Sequence, residues 1–332
     1  MKVNLEGRSF LTLMDFAPRE IRYLLDLAKE LKAKRRKGLA GGLLKGRNIL
    51  LIFEKNSTRT RCAFETGAAE EGACVTVLDS ASSHFGKKES LEDSARVFGR
   101  FYDGIGYRGF QQSVVEGLAK YSGVPVWNGL TDVDHPTQIL ADLMTIEEHQ
   151  PKPLSEVKVV FCGDTRNNMS YAWMYGCAKM GMKFAAYGPE ALEPDRAVLA
   201  GANAVADESG ASISFVSDEA CLEGADVIYT DVWASMGEDE RIPERVKQLS
   251  PYKVTMETLA KTKNPEVLFM HCLPAFHDFE TGAAKEQMAR GYDIREVSDE
   301  VFRCERSVVF DEAENRMHSI KAVMAATLRS AI

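Results

Sequence analysis

Short apolar runs recur along the chain, bounded by polar turns and separated by stretches with helical spacing. In the first half they fall at 48–53, 74–78, 103–107 and 124–128; Ile49-Leu50-Leu51-Ile52-Phe53 is the most continuous. In the second half they fall at 157–162, 183–187, 213–216, 227–230 and 266–270, with a short one at 307–310. Continuous apolar runs of this length are what strands buried on both faces require. Between them lie helical patterns. Pro18 opens a helix whose stripe is Ile21, Leu24, Leu25, Ala28 and Leu31. Ser90 caps another, ahead of Leu91-Glu92-Asp93, and one starts near Pro136. Further helices are predicted at 168–181, 195–207, 255–262 and about 312–330. The alternation breaks near Gln150-Pro151-Lys152-Pro153. Strands alternating with helices on both sides of that break predict an α/β protein of two doubly wound parallel-sheet domains, residues 1–150 and 151–332.

Length and composition agree. A chain of 332 residues exceeds one ordinary core, and 45% hydrophobic with 27% charged residues describes a globular protein. No apolar run approaches the roughly 20 residues of a membrane span. Met1-Lys2-Val3-Asn4-Leu5-Glu6-Gly7 lacks the apolar core of a signal peptide. A net charge of −8 argues against nucleic acid as partner, so an anionic ligand must be held by local basic residues. The seven cysteines form no C-x-x-C pair, which fits a reducing, cytoplasmic setting and indicates neither a disulfide framework nor a zinc site.

Ligands of open parallel sheets bind beyond the carboxyl ends of the strands. Six strand ends here carry unusual polar residues. Phe53 is followed by Lys55-Asn56-Ser57-Thr58-Arg59-Thr60-Arg61, three basic residues and three hydroxyls at a strand-to-helix junction. The unpaired N–H groups of a helix start, with Ser, Thr and Arg beside them, suit an anion such as phosphate. Tyr107 is followed by Arg108, and Val126-Trp127-Asn128 leads to His135-Pro136-Thr137-Gln138. In the second half, Cys162 leads to Gly163-Asp164-Thr165-Arg166-Asn167-Asn168, Thr230 to Asp231 and Ser235-Met236-Gly237, and Met270 to His271-Cys272-Leu273-Pro274. Taken singly, Arg108 reads as a surface ion-pair residue, and His271 and Cys272 as core. Recurrence at six strand ends favours a site in a cleft between the domains. Gly104-Ile105-Gly106-Tyr107-Arg108-Gly109 matches a dinucleotide-binding pattern by letter, but it overlaps a strand instead of following one, which disfavours a nicotinamide dehydrogenase.

Ser57-Thr58-Arg59-Thr60, His135-Pro136-Thr137-Gln138, Asp231 with Ser235-Met236-Gly237, His271-Cys272-Leu273-Pro274 and Glu312-Ala313-Glu314-Asn315-Arg316-Met317-His318 together resemble the ornithine carbamoyltransferases, over a span from about residue 8 to the end. The first two elements are similar across the wider carbamoyltransferases and imply carbamoyl phosphate; Asp231 with Ser235-Met236-Gly237, and His271-Cys272-Leu273-Pro274, imply ornithine as acceptor. The implied reaction gives L-citrulline and phosphate, with no cofactor and no metal. The resemblance gives carbamoyl phosphate Ser57, Thr58, Arg59, Thr60, Arg108, His135, Pro136, Thr137, Gln138, Cys272, Leu273 and Arg316. It adds His84 on a loop reaching into a neighbouring subunit's site. Ornithine falls to Asn168, Asp231, Ser235 and Met236, with Asn167 able to exchange roles with Asn168. Arg108, His135, Cys272 and Asp231 are the catalytic candidates. The final helix is expected to pack back on the first domain, and a homotrimer or multiple of trimers is implied. A carbamoyltransferase for putrescine, an acylated ornithine or aspartate is the nearest alternative; a non-catalytic ligand-binding relative is another.

Overall fold

The computed structural model describes residues 3–39, 41–79, 85–86, 88–234 and 239–328. The chain divides into two compact units, one of residues 1–146 and 313–332, the other of 147–312. The first contains α1 (Pro18–Arg36), β1 (Asn48–Phe53), α2 (Thr58–Glu70), β2 (Cys74–Asp79), α3 (Leu91–Phe101), β3 (Gly104–Arg108), α4 (Gln112–Ser122), β4 (Val126–Leu130) and most of α5 (Pro136–His149). Its strands form a parallel sheet of order β2-β1-β3-β4. The second contains β5 (Lys158–Cys162), α6 (Asn168–Met180), β6 (Lys183–Tyr187), α7 (Arg196–Ser209), β7 (Ser212–Val216), β8 (Val227–Thr230), α8 (Ile242–Leu249), α9 (Met256–Lys261), β9 (Leu268–His271), α10 (Gly282–Ala289) and α11 (Asp299–Phe302). Its parallel sheet has the order β7-β6-β5-β8-β9. The last helix, α12 (Val309–Thr327), begins in the second unit, and from Ala313 onward it belongs to the first.

The two parallel-sheet α/β domains read from the sequence are therefore present. Ile49–Phe53 of β1 and all of β8 and β9 are buried, as strands covered on both faces must be. The stripe of α1 (Ile21, Leu24, Leu25, Ala28, Leu31) is buried, and Ser90 caps α3 by accepting from the Asp93 N–H at 3.0 Å.

In each sheet the chain reverses its direction of travel at the central strand. β1 is followed outward by β2 on one side and by β3 and β4 on the other; β5 is followed by β6 and β7, then by β8 and β9. The crevices at β1/β3 and at β5/β8 are the topological switch points, where the loops part and leave room for a ligand. The pairing of β3 with β4 shifts register between Tyr107 and Arg108, so that Tyr107 faces Asn128, Arg108 faces Leu130, and Gly129 is the extra residue. A side chain at Gly129 would lie 3.1 Å from the Tyr107 carbonyl and 3.2 Å from the Thr60 methyl. Bulges re-aim neighbouring side chains, here Arg108 at the end of β3.

One element differs from the sequence pattern. No strand spans 307–310: Ser307 makes a single bridge with Phe269, and α12 already starts at Val309. The apolar run Val308-Val309-Phe310 suggested a strand, but Asp311 and Glu312 follow in the helix's first turn, where acidic groups complement the dipole. Helices α8, α10 and α11 are additional to those the pattern gave.

Candidate active site

In the first unit the polar groups gather at the β1/β3 switch point. Ser57 takes an extended conformation and caps α2, its oxygen accepting from the Thr60 N–H at 3.1 Å. Thr58 is the first helical residue and is exposed; Arg59 follows it, and Thr60 is 1% exposed. Thr60 Oγ1 accepts from Arg316 Nη2 at 2.9 Å and from Arg108 Nη1 at 3.2 Å. Arg316 Nη1 donates to Gln138 Oε1 at 2.9 Å, and Gln138 Nε2 to Asp142 Oδ1 at 2.8 Å. Gln138 and Asp142 lie one turn apart on α5, the spacing that puts two side chains on one helix face.

His135 precedes Pro136, the first residue of α5, and is buried with no hydrogen-bond partner at Nδ1 among the described residues. Burial, and then the Arg316, Arg108 and Arg59 guanidiniums, hold it well below its ordinary 6.5. It is therefore a neutral imidazole around neutral pH, with an N–H to donate. Thr137 is buried, and its carbonyl accepts from the Ser319 hydroxyl at 3.2 Å. The neighbouring Asp134 is pushed up to about 7 by burial.

Only part of the local cluster that the sequence displayed supplies the positive charge here. Lys55 pairs with Asp132 and lies over the Phe110 ring at 4.6 Å, and Arg61 pairs along the exposed face of α2 with Glu65 at 3.2 Å. The guanidiniums that depress His135 are Arg59 from the cluster, Arg108 from β3 and Arg316 from α12.

In the second unit a different set gathers at the β5/β8 switch point. Asn167 caps α6, its Oδ1 accepting from the Ser170 N–H at 2.8 Å, while its Nδ2 donates to Asp231 Oδ2 at 3.3 Å. Asn168 is the first residue of that helix. Asp231 Oδ1 accepts from the Val232 N–H at 2.8 Å and from Cys272 Sγ at 3.3 Å. Burial raises the Asp231 carboxyl, partly offset by His271, Val232 and Cys272.

His271, the last residue of β9, is fully buried. Its Nδ1 accepts from the Leu273 N–H at 2.9 Å, so the ring proton sits on Nε2 and faces Glu296 Oε1 at 3.1 Å. The same Glu296 oxygen accepts from the Phe276 N–H at 2.7 Å, and burial pushes this carboxyl up to about 8. The His271 N–H donates to Glu312 Oε2 at 2.9 Å, and Tyr229 Oη to Glu312 Oε1 at 3.1 Å. Leu273 is held at φ +56°, a left-handed conformation that costs a leucine roughly 1–3 kcal/mol. The bond from its N–H to His271 keeps the Cys272-Leu273 turn in that shape.

Of the residues singled out from sequence, Ser57, Thr58, Arg59, Thr60, Arg108, His135, Pro136, Thr137, Gln138 and Arg316 belong to the first unit, and Asn168, Asp231, Cys272 and Leu273 to the second. His84, Ser235 and Met236 lie outside the described residues. Asn167, beside the named Asn168, contacts Asp231. Sequence reading missed Asp142, Glu296 and Glu312 as parts of these networks. Asp142 was traceable as the i+4 partner of Gln138 on α5; Glu296 carries no such signal.

Among the described residues, two groups offer three metal-type donors within 4.8 Å of one another, Asp231-His271-Cys272 and His277-Asp278-Asp299. In the first, both imidazole nitrogens are engaged by Leu273 and Glu296, and the thiol by Asp231. In the second, Arg303 already bonds both Asp299 oxygens, at 2.8 and 3.0 Å.

Two family models match the chain: "Aspartate/ornithine carbamoyltransferase, carbamoyl-P binding domain" over residues 8–148, and "Aspartate/ornithine carbamoyltransferase, Asp/Orn binding domain" over 155–327. The chain is 67% identical over 331 residues to a catabolic ornithine carbamoyltransferase of Clostridium perfringens, covering 98% of this chain and 99% of that protein. It is 56% identical to an ornithine carbamoyltransferase of Limosilactobacillus reuteri, covering 99% of each. Among solved structures it resembles the ornithine carbamoyltransferase of Pyrococcus furiosus, with TM-score 0.90 and 39% identity over 98% of this chain and 99% of that one.

Proposed function

This chain belongs to the aspartate/ornithine carbamoyltransferase family, and we propose that it transfers the carbamoyl group of carbamoyl phosphate to the side-chain amine of L-ornithine, releasing L-citrulline and phosphate. Three guanidiniums around a doubly accepting threonine and a neutral histidine carry this assignment. Such a set suits a doubly charged phosphate and a carbonyl oxygen that becomes anionic. The relatives at 67% and 56% identity, both ornithine carbamoyltransferases by name, support ornithine as the acceptor.

In this reading Ser57, Thr58, Arg59 and Thr60 hold the phosphate at the start of α2, with help from Arg108. Thr60, Arg108 and His135 donate to the carbonyl oxygen as charge develops on it. A neutral imidazole suits that role, because it donates without adding a fourth cation. Pro136 and Thr137 fix the helix start that carries His135, and Gln138, Arg316 and the Cys272-Leu273 backbone orient the carbamoyl amide. Asn168, Asp231, Ser235 and Met236 take the α-amino and α-carboxylate groups of ornithine, with Asn167 as a further contact.

The attacking amine has an unperturbed pKa of about 10.4, as in lysine. Two protons leave this nitrogen in all: phosphate takes up the one released after the new C–N bond forms and the bond from carbon to the phosphate oxygen breaks with its electron pair on phosphate, and the other is lost before the attack. Asp231 and Cys272, in contact at 3.3 Å, are the groups that steer or accept that proton. No covalent enzyme intermediate is required, and much of the rate comes from orientation and electrostatics.

The assembly that goes with this reading is a homotrimer or a multiple of trimers of the 36.8 kDa chain, with a neighbouring copy's His84 loop at each carbamoyl phosphate. Light scattering tests the assembly. Among the described residues no helix is long and apolar enough to cross a membrane, and all seven cysteines are free thiols, which supports a reducing, cytoplasmic setting. The deciding experiment is a citrulline assay with purified protein and carbamoyl phosphate across ornithine, putrescine, an acylated ornithine and aspartate. Ornithine is the expected acceptor. Preference for another would reassign the second substrate, and no turnover with any would leave a binding protein.

A further inference from the structure

We propose that Asp142 is a positioning residue for carbamoyl transfer: acting through Gln138 and Arg316, it holds Thr60 so that the threonine hydroxyl is kept as a hydrogen-bond donor. The inference rests on the carbamoyl-transfer reading, because it takes the carbonyl oxygen of carbamoyl phosphate as the acceptor that Thr60 serves.

The direction of each link is set by chemistry. A hydroxyl has one proton to donate and two lone pairs to accept with, whereas a guanidinium can only donate. Thr60 Oγ1 receives Arg316 Nη2 at 2.9 Å and Arg108 Nη1 at 3.2 Å, so both lone pairs are occupied by cationic donors. The O–H is then committed to donating, and two charges on its oxygen strengthen it in that role.

The Arg316 fork is split between Thr60 and Gln138, and its Nη1 requires the carbonyl end of the Gln138 amide, which accepts at 2.9 Å. That turns the Gln138 NH₂ toward Asp142, whose Oδ1 accepts at 2.8 Å. An amide so held cannot rotate without setting NH₂ against a guanidinium, so Arg316 keeps its place over Thr60. Asp142 is fully buried and two side chains removed from Thr60, which makes it a group that acts through others.

The test is steady-state citrulline formation by the full-length protein carrying Asp142→Ala, Asp142→Leu or Asp142→Asn, with product inhibition by inorganic phosphate and the thermal midpoint measured on the same samples. Removing the acceptor with Ala or Leu is expected to lower kcat by about 10- to 100-fold, the usual cost of losing an outer partner of a site residue. The inhibition constant for phosphate is expected to change much less than kcat, since of the phosphate set Ser57, Thr58, Arg59 and Arg108 are untouched and only Thr60 is moved. Asp142→Asn keeps an oxygen that accepts from Gln138 and is expected to recover most of the lost kcat.

Where Ala leaves a void that prevents folding, Leu fills the space and carries the comparison. An unchanged kcat in a folded Ala or Leu variant overturns the proposal. So does a parallel loss of phosphate affinity, which would mark general disruption, or an Asn variant as slow as Ala. If the wild-type protein itself makes no citrulline, the transfer reading has failed, a different result from any of these.

Discussion

The two switch points are built alike and lined by different chemistry. Each has a central parallel strand, a turn, and a helix whose cap accepts from an N–H three residues on: Ser57 ahead of α2, Asn167 ahead of α6. Around the first stand Arg59, Arg108 and Arg316, which add to the effect of burial in holding a histidine neutral. Around the second stand Asp231 and Glu296, carboxyls that burial raises above their ordinary values. In the proposed reading the same local backbone serves an anionic substrate in one unit and an amine-bearing one in the other. The fold supplies the crevice; the side chains brought to its rim choose the charge of what enters.

Four substitutions would break or sharpen that contrast. The largest effect is expected for Arg108→Ala, which removes a donor to Thr60 and one of the three charges about His135: kcat/KM for carbamoyl phosphate should fall by about 1000-fold, as for loss of an oxyanion donor. Near-normal kinetics would take Arg108 out of the site. Next comes Asp231→Ala, expected to lower kcat/KM for ornithine by roughly 100-fold while phosphate inhibition is unchanged; intact ornithine kinetics would remove Asp231 from the amine side.

The third concerns pH. Glu296 titrates at about 8 in the folded protein, against an ordinary 4.5. The folded state therefore holds a proton that the unfolded chain has released. The stability attached to it is full below the ordinary value and is lost as pH rises through about 8. Glu296→Gln keeps an acceptor for His271 and Phe276 but cannot ionise. Its thermal midpoint should gain on wild type between about pH 5 and pH 9, and a difference constant with pH would contradict the burial of that carboxyl. The smallest effect is expected for Arg61→Ala. Its exposed pair with Glu65 is worth less than about 1 kcal/mol, so activity and stability should stay near wild type. A large loss would restore Arg61 to the anion site.

The frame of this contrast was legible in the chain. Ile49–Phe53 and Val227–Thr230 are apolar enough to be strands wherever they fall, and their ends pointed to Ser57 and Asp231 before any geometry was known. The electrostatics were less legible, because charge is assigned by distant partners. Lys55 and Arg61 looked equivalent to Arg59 until Asp132 and Glu65 claimed them. Glu296, in Arg295-Glu296-Val297-Ser298, reads as a surface residue and is fully buried beneath His271. At 308–310 three apolar residues suggested a strand, yet Phe310 is 70% exposed and Val309 is buried within a helical turn. Apolar runs this short do not distinguish the two periods.

The bare backbone at Gly129 sets a steric limit on what lies above it. Where β4 bulges, the space beside Gly129 is bounded by the Thr60 methyl and the Tyr107 carbonyl. One added carbon would have to push one of them aside by a few tenths of an ångström. Position 129 is thus a mechanical adjustment screw for the hydroxyl above it, able to detune the chemistry while every polar group keeps its identity.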